Sequence, residues 1–295
     1  MESHIQKYEK IIKKVTTWAE KRSDLRVILV VGSRARKDAP ADKWSDLDVV
    51  FFTNEPDQYL SSDEWISEIG PYWFTFIEET AVGGGKERRV LFEDAIDVDF
   101  SVFPIKSMKN LFEDPQTRKA LHRGVRVLAD KDGEFQEIYR REETYAGEDQ
   151  RLINEDAWIE LIHDFLYHAV WGAKKLLRRE WWTAKDCIDH YLKQCLLSVA
   201  ECHARAKYGA NYDTWHNGRF FDQWADPFIQ EQIKHCYAHY EKYDMQQALL
   251  HTIKLFRRMA LETAELLNYR YPHDADELVE KWIESQFQQE SEAQV

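Results

Sequence analysis

The chain of 295 residues carries 53 acidic against 40 basic side chains, a formal net charge of -13, and is 44% hydrophobic and 14% aromatic. That is ample apolar material for two packed domains without covalent staples, and the acidity argues against a protein that tracks nucleic-acid phosphates with a basic face, favouring a cationic small partner. Cys187, Cys195, Cys202 and Cys236 form no Cys-x-x-Cys pair, residues 1–10 carry no secretion signature, and no apolar run approaches a membrane span. The expectation is a cytoplasmic protein with reduced thiols, no membrane or nucleic-acid partner, and a monomeric state.

In chain order, Ile5, Tyr8, Ile11, Ile12, Val15 and Trp18 recur at helical spacing and predict a helix over 3–22 that buries one stripe. Residues 26–31 form a short, β-branched and continuously apolar run, as expected of a buried strand, and 48–53 repeat the pattern. The polar loop between them, with Pro40 and several charges, is where a nucleotide would be admitted. Further strands are expected at 72–77 and 88–92, joined across Gly83-Gly84-Gly85 as a hairpin, and at 96–103, where apolar and polar residues alternate. This order describes an α+β domain with a mixed sheet. Periodicity is lost around 129–154, with a turn at Lys131-Asp132-Gly133 and a charged stretch over 140–151, so domains are expected at 1–150 and 151–295. Helical patterns over about 158–179, 183–207, 228–241, 244–268 and 275–287, with stops at Gly209 and Tyr271-Pro272, predict a helical bundle. The polar tail 288–295 is expected to fray.

The chemistry gathers around the first two strands. The first apolar run ends in Gly32-Ser33, a spacer of twelve residues follows, and Asp46-Leu47-Asp48 opens the second run. Two carboxylates one residue apart at a strand start point to the same face and are close enough to share a divalent ion. A glycine that lets backbone N–H groups approach, followed by a hydroxyl, suits a triphosphate. Together these features read as a nucleotidyl-transfer site: in-line attack of a hydroxyl on an α-phosphorus, with Mg2+ held by Asp46 and Asp48, the terminal phosphates at Gly32 and Ser33, and charge-assisted bonds to the leaving group from Arg34 and Arg36. A third carboxylate is expected from Ile96-Asp97-Val98-Asp99-Phe100-Ser101, whose alternation puts Asp97, Asp99 and Ser101 on one face and leaves the choice between the two aspartates open. The third carboxylate either completes metal coordination or acts as general base. His163 with His168, and His235 with His239, lack a neighbouring third ligand for zinc, and Gly83-Gly84-Gly85 lacks the Gly-Lys-Ser/Thr ending of a phosphate loop.

These residues resemble the nucleotidyltransferase superfamily, whose pattern is Gly-Gly/Ser, a spacer, then Asp-x-Asp/Glu. Within it the chain is similar to the aminoglycoside 6-adenylyltransferases, also called streptomycin adenylyltransferases. Gly32-Ser33-Arg34 meets the family's Gly-Ser-Arg, and Asp46-Leu47-Asp48 meets its Asp-x-Asp. Val98-Asp99-Phe100-Ser101-Val102-Phe103-Pro104 matches its Leu-Asp-Leu-Thr-Leu-Ile-Pro strand, a register that selects Asp99 over Asp97. In the second domain Phe165, Lys174, Leu176, Arg178, Glu180, Ala184 and Asp186 stand at family-like spacing, and Tyr271-Pro272 matches a dipeptide near the family's C-terminus. The chain departs from the pattern at Val31, Leu47 and Arg179.

The resemblance implies a nucleotidyltransferase-fold catalytic domain followed by a helical substrate-binding domain, with the active site between them. It implies Mg2+ as cofactor, ATP as co-substrate, and transfer of AMP to a hydroxyl of an aminoglycoside, typically the 6-hydroxyl of streptomycin, giving antibiotic resistance by inactivation. Acceptor contacts are expected at Glu180 and Asp186, with Trp181 and Trp182 covering a sugar or guanidinium face, although adjacent tryptophans at a helix junction also suit plain packing. Two other readings use the same residues: a transferase of this fold acting on another small molecule, a protein side chain or an RNA end, and a non-catalytic nucleotide-binding module.

Overall fold

The first helix, α1 (His4–Glu20), buries Tyr8, Ile11, Ile12, Val15 and Trp18, the stripe its periodicity marks out. The computed structural model describes residues 4–36, 38–81, 83–110, 113–143 and 152–292. It divides into two units, Met1–Gly147 and Glu148–Val295. In the first unit α1 is followed by β1 (Leu25–Val31), β2 (Leu47–Thr53), the short helices α2 (Pro56–Ser61) and α3 (Glu64–Ile69), and the strands β3 (Tyr72–Glu79), β4 (Lys86–Phe92) and β5 (Ile96–Pro104). Then come α4 (Pro115–Arg123), β6 (Arg126–Asp130) and α5 (Glu134–Glu143).

The strands form a mixed six-stranded sheet among the described residues, in the order β3-β4-β5-β2-β1-β6. Only the central β2–β5 pair is parallel among the pairings of this sheet. The period-2 alternation of the strands sends Val49, Phe51, Val98 and Phe100 to one face, where they pack with α1, Tyr59 and Trp65. The opposite face holds a smaller cluster of Val27, Leu29, Phe52 and Phe103 closed by Met108 and by Phe135 of α5. That second face is apolar at one end of the strands only; at the other it carries Asp48 and Asp99.

The second unit is helical: α6 (Glu155–Leu177), α7 (Trp181–Asp186), a π-helical turn (Cys187–Tyr191), α8 (Leu192–Tyr208), α9 (Phe221–Trp224), α10 (Pro227–Gln232), α11 (Lys242–Leu267) and α12 (His273–Glu292). The Asn154 side chain accepts from the Ala157 N–H and so starts α6, and Asn268 in the left-handed region ends α11. Its core includes Trp158, Phe165, Leu196, Met259 and Ile283. All four cysteines are free, and no helix among the described residues is long and apolar enough to cross a membrane.

The structure corrects several sequence expectations. Two elements go unannounced where periodicity is lost: β6, which pairs with β1 as an edge strand, and α5 over residues 134–143, while 144–151 lie outside the described residues. The helix expected over 183–207 is interrupted by the π turn, where the buried Lys193 ammonium donates to the Ile188 carbonyl at 2.8 Å and to Thr252 Oγ1 at 2.9 Å. The helix expected over 228–241 stops at Gln232, passes through a 3-10 turn at Ile233–Cys236, and becomes extended at Tyr237. A side chain from another helix takes a carbonyl that a continuing helix would have used: Lys185 of α7 donates to that of Ala238. Residues 288–292, expected to fray, continue α12, because Glu290 is held by Lys242 at 2.6 Å and by Gln246 at 3.2 Å.

Candidate active site

The parallel register of β2 and β5 sets Asp48 opposite Asp99, and the antiparallel register of β1 and β2 sets Val31 opposite Asp48. Asp46 stands one residue before β2. One oxygen from each of Asp46, Asp48 and Asp99 lies within 4.8 Å of the others. Three hard carboxylate donors converging in this way fit a divalent cation of the magnesium type. Immediately after β1 the chain turns through Gly32–Arg34. Gly32 has φ +65°, and a Cβ built there would fall 2.2 Å from Asp48 Oδ2. Glycine at this position therefore lets the carboxylate sit against the turn. Ser33 is 7% exposed, and its Oγ is buried without a hydrogen-bond partner among the described residues. An orphaned buried hydroxyl beside three carboxylates is a donor without an acceptor, as a phosphate site requires before its ligand arrives.

The electrostatics separate the two aspartates that alternation left equivalent. Burial pushes the Asp99 carboxyl up to about 6; Arg89 opposes the shift, and Glu87, Asp46 and Asp97 add to it. A bound cation would restore the charged form. Asp97, on the same face, is exposed and accepts a hydrogen bond from Tyr8 Oη at 2.5 Å. Burial and that bond raise the Tyr8 hydroxyl.

Arg34 Nε donates to the Asp46 carbonyl at 2.8 Å, another of its nitrogens donates to the Ser45 carbonyl, and the guanidinium lies 3.5 Å from the Tyr8 ring centroid. It thus braces the turn that presents Asp46. Burial lowers its pKa. Arg36 Nε donates to the Ala39 carbonyl at 2.6 Å.

Two neighbours escaped the sequence reading. Glu87 on β4 is 7% exposed and receives the Arg89 guanidinium at 2.8 Å. Arg89 also reaches Glu78 of β3 at 2.8 Å and Asp99 at 3.6 Å. The readable signal was a period-2 pair of opposite charges, Glu87-x-Arg89, in the charged first half of a strand that ends apolar at Val90-Leu91-Phe92.

Of the second-unit residues singled out in the sequence, Glu180 is paired with Lys175 and Arg178, each at 2.5 Å, which holds its carboxyl below the usual range. Trp181 packs against the helical core and faces Tyr240 edge-on at 6.5 Å. Trp182 is 80% exposed, and Asp186, at the end of α7, is exposed as well.

Comparison with known proteins agrees with the residues. The family model described as streptomycin adenylyltransferase matches residues 5–286. An aminoglycoside 6-adenylyltransferase of Bacillus subtilis is 22% identical over 281 residues, covering 88% of this chain and 90% of the relative. One of Campylobacter jejuni is 23% identical over 271 residues, covering 88% of each. A crystal structure of an aminoglycoside 6-adenyltransferase from Bacillus subtilis aligns over 97% of this chain and 98% of that one, with a TM-score of 0.44 and 19% identity. With a family model spanning both units, the chain belongs to the streptomycin adenylyltransferase family of enzymes.

Proposed function

We propose that the chain transfers AMP from MgATP to a hydroxyl of an aminoglycoside, most typically the 6-hydroxyl of streptomycin, and so inactivates the antibiotic. The observation that carries this reading is the convergence of Asp46, Asp48 and Asp99 beside the Gly32–Ser33 turn; family membership over residues 5–286 supports it. On this reading residues 1–150 are a nucleotidyltransferase-fold catalytic domain, and 151–295 are a helical substrate-binding domain that supplies Glu180, Asp186, Trp181 and Trp182 to the acceptor. The protein works in the cytoplasm as a monomer.

Asp46, Asp48 and Asp99 hold the divalent ion, which when bound supplies charge neutralisation on the triphosphate and the departing pyrophosphate. The Ser33 hydroxyl and the amides of its turn donate to the terminal phosphates. Arg34 keeps the Asp46 backbone in place, and Arg36 lies on the same loop for the leaving group. Asp99, which a bound cation would keep charged and which lies on the β5 side of the Asp46–Asp48 pair, is the carboxylate placed to accept the hydroxyl proton.

The test is pyrophosphate release from MgATP by the purified protein with and without streptomycin. Release should require the antibiotic, and Asp48→Asn should lower it by at least about 100-fold while leaving the far-ultraviolet circular dichroism unchanged. Full activity in that variant would remove the metal-ligand assignment. Release independent of any aminoglycoside would remove the acceptor.

A further inference from the structure

We propose that the acceptor subsite continues from the carboxylate triad across β4 onto the edge strand β3, where Phe76 and Glu78 hold a cationic group of the aminoglycoside. This rests on the adenylyl-transfer reading above. The sheet registers place one cross-strand row over five strands: Phe76 opposite Arg89, Arg89 opposite Asp99, Asp99 opposite Asp48, and Asp48 opposite Val31. Residues opposite one another point to the same face. Phe76 therefore shares the face of the triad. At the usual strand spacing it lies two strands, about 10 Å, from Asp99.

The direction of attack decides which side the acceptor takes. In-line displacement puts the attacking hydroxyl and the departing pyrophosphate on opposite sides of the phosphorus. Gly32 and Ser33 stand at the end of β1, on the β1 side of the triad, so the terminal phosphates take that side. The hydroxyl then approaches from β5, β4 and β3. A multi-ring aminosugar with its hydroxyl at the triad extends along the row toward Phe76.

The chemistry of the surface fits such a ligand. Phe76 is 48% exposed, and Phe74, two residues earlier on the strand, is exposed as well. An aromatic face attracts guanidinium and ammonium groups and covers the apolar side of a sugar ring. The Glu78 side chain is 51% exposed and spends one contact on Arg89, leaving lone pairs free on its carboxylate. Arg89 is itself a guanidinium seated among Glu78, Glu87 and Asp99, which shows the kind of group this cluster accommodates. Three carboxylates stand here against the one guanidinium of Arg89, so an anionic acceptor would be repelled, and a neutral one would keep hydrogen bonds from its hydroxyls but lose the charge attraction.

The experiment is a calorimetric titration of the full-length protein with streptomycin, alongside the KM for streptomycin in pyrophosphate release. Phe76→Ala and Glu78→Gln should each weaken the streptomycin Kd by about 3- to 10-fold, with the KM for ATP unchanged. Ile77→Ala, at the position opposite Arg88 on the other face of β3, should bind streptomycin as the wild type does. It controls for general damage to the strand. Wild-type Kd and KM in both Phe76→Ala and Glu78→Gln, in an enzyme that still releases pyrophosphate with streptomycin, would overturn the subsite and leave the activity standing. Loss of a concentration-dependent dimer in Phe76→Ala, with streptomycin affinity intact, would overturn it in favour of contact between two copies. A wild-type protein that neither binds nor adenylylates any aminoglycoside would overturn both proposals together.

Discussion

Asp99 carries an electrostatic cost in the metal-free protein that its function would turn to use. Its folded pKa stands near 6, against an ordinary value of 3.8. The folded state therefore holds the proton more tightly than the unfolded chain, and stability falls as pH rises from about 4 to about 6, staying lower above that window. Replacing the charge should remove the fall. In the presence of a chelator at pH 7.5, Asp99→Asn should be more stable than the wild type by on the order of 2 kcal/mol, and at pH 4 the two should be nearly equal; thermal unfolding at both pH values checks this. An unchanged or lowered stability at pH 7.5 would contradict the burial argument. Among single residues, Gly32, Ser33, Asp46 and Asp48 were legible because local spacing alone puts two carboxylates on one strand face and a glycine turn before them. Local spacing did not separate Asp97 from Asp99; the family-like register of residues 98–104 selected Asp99, which the triad contains. The difference between them is made by Tyr8, some ninety residues away in sequence, which donates to Asp97, and by Glu87 and Arg89 on the neighbouring strand.

At the scale of elements, helices and strands with a sustained period were readable, and those sustained by tertiary partners were not. α2 and α3 are six residues each, too short for periodicity to mark or for local propensity to stabilise. The C-terminal turn of α2 is held by Arg88, buried under it, whose Nε donates to the Tyr59 carbonyl at 2.9 Å and whose Nη2 donates to that of Leu60 at 2.5 Å. These are among the carbonyls that a helix end leaves unpaired. Burial lowers the pKa of that guanidinium, and its charge remains. Arg88→Leu should lower stability by about 2 kcal/mol, the loss of two charged hydrogen bonds partly offset by relief of a buried charge. A shift in the urea midpoint without a change in the slope of the transition measures it. The π turn at Cys187–Tyr191 follows the same logic: Lys193 and Thr252, on different helices, supply partners that no helical pattern announces.

Over the whole molecule, the charge of -13 sets the long-range field that the proposed substrates would meet. It would draw a polycationic acceptor and repel MgATP, and salt would weaken both effects. The KM for streptomycin should rise several-fold as the salt is raised from about 50 to about 300 mM, while the KM for MgATP should not rise; steady-state kinetics at three ionic strengths decide the point. A salt-independent KM for streptomycin would mean that acceptor capture owes nothing to the acidic surface.

By itself the sequence determined the class of both units, a mixed α+β sheet and a set of long helices, together with the metal-type aspartates and the phosphate-type turn. Each of these rests on interactions between residues close in the chain: the 3.6 and 2.0 periods, a two-residue carboxylate spacing, a glycine before a serine. Only the tertiary structure decided that β2 and β5 run parallel and in register, so that Asp99 meets Asp48. It also decided that Arg89 and Phe76 share their row, with Glu87 in the row beside it, and that Arg34 holds the Asp46 turn. Strand order and register depend on which distant segments exclude water together, and no local pattern in a strand names its neighbour.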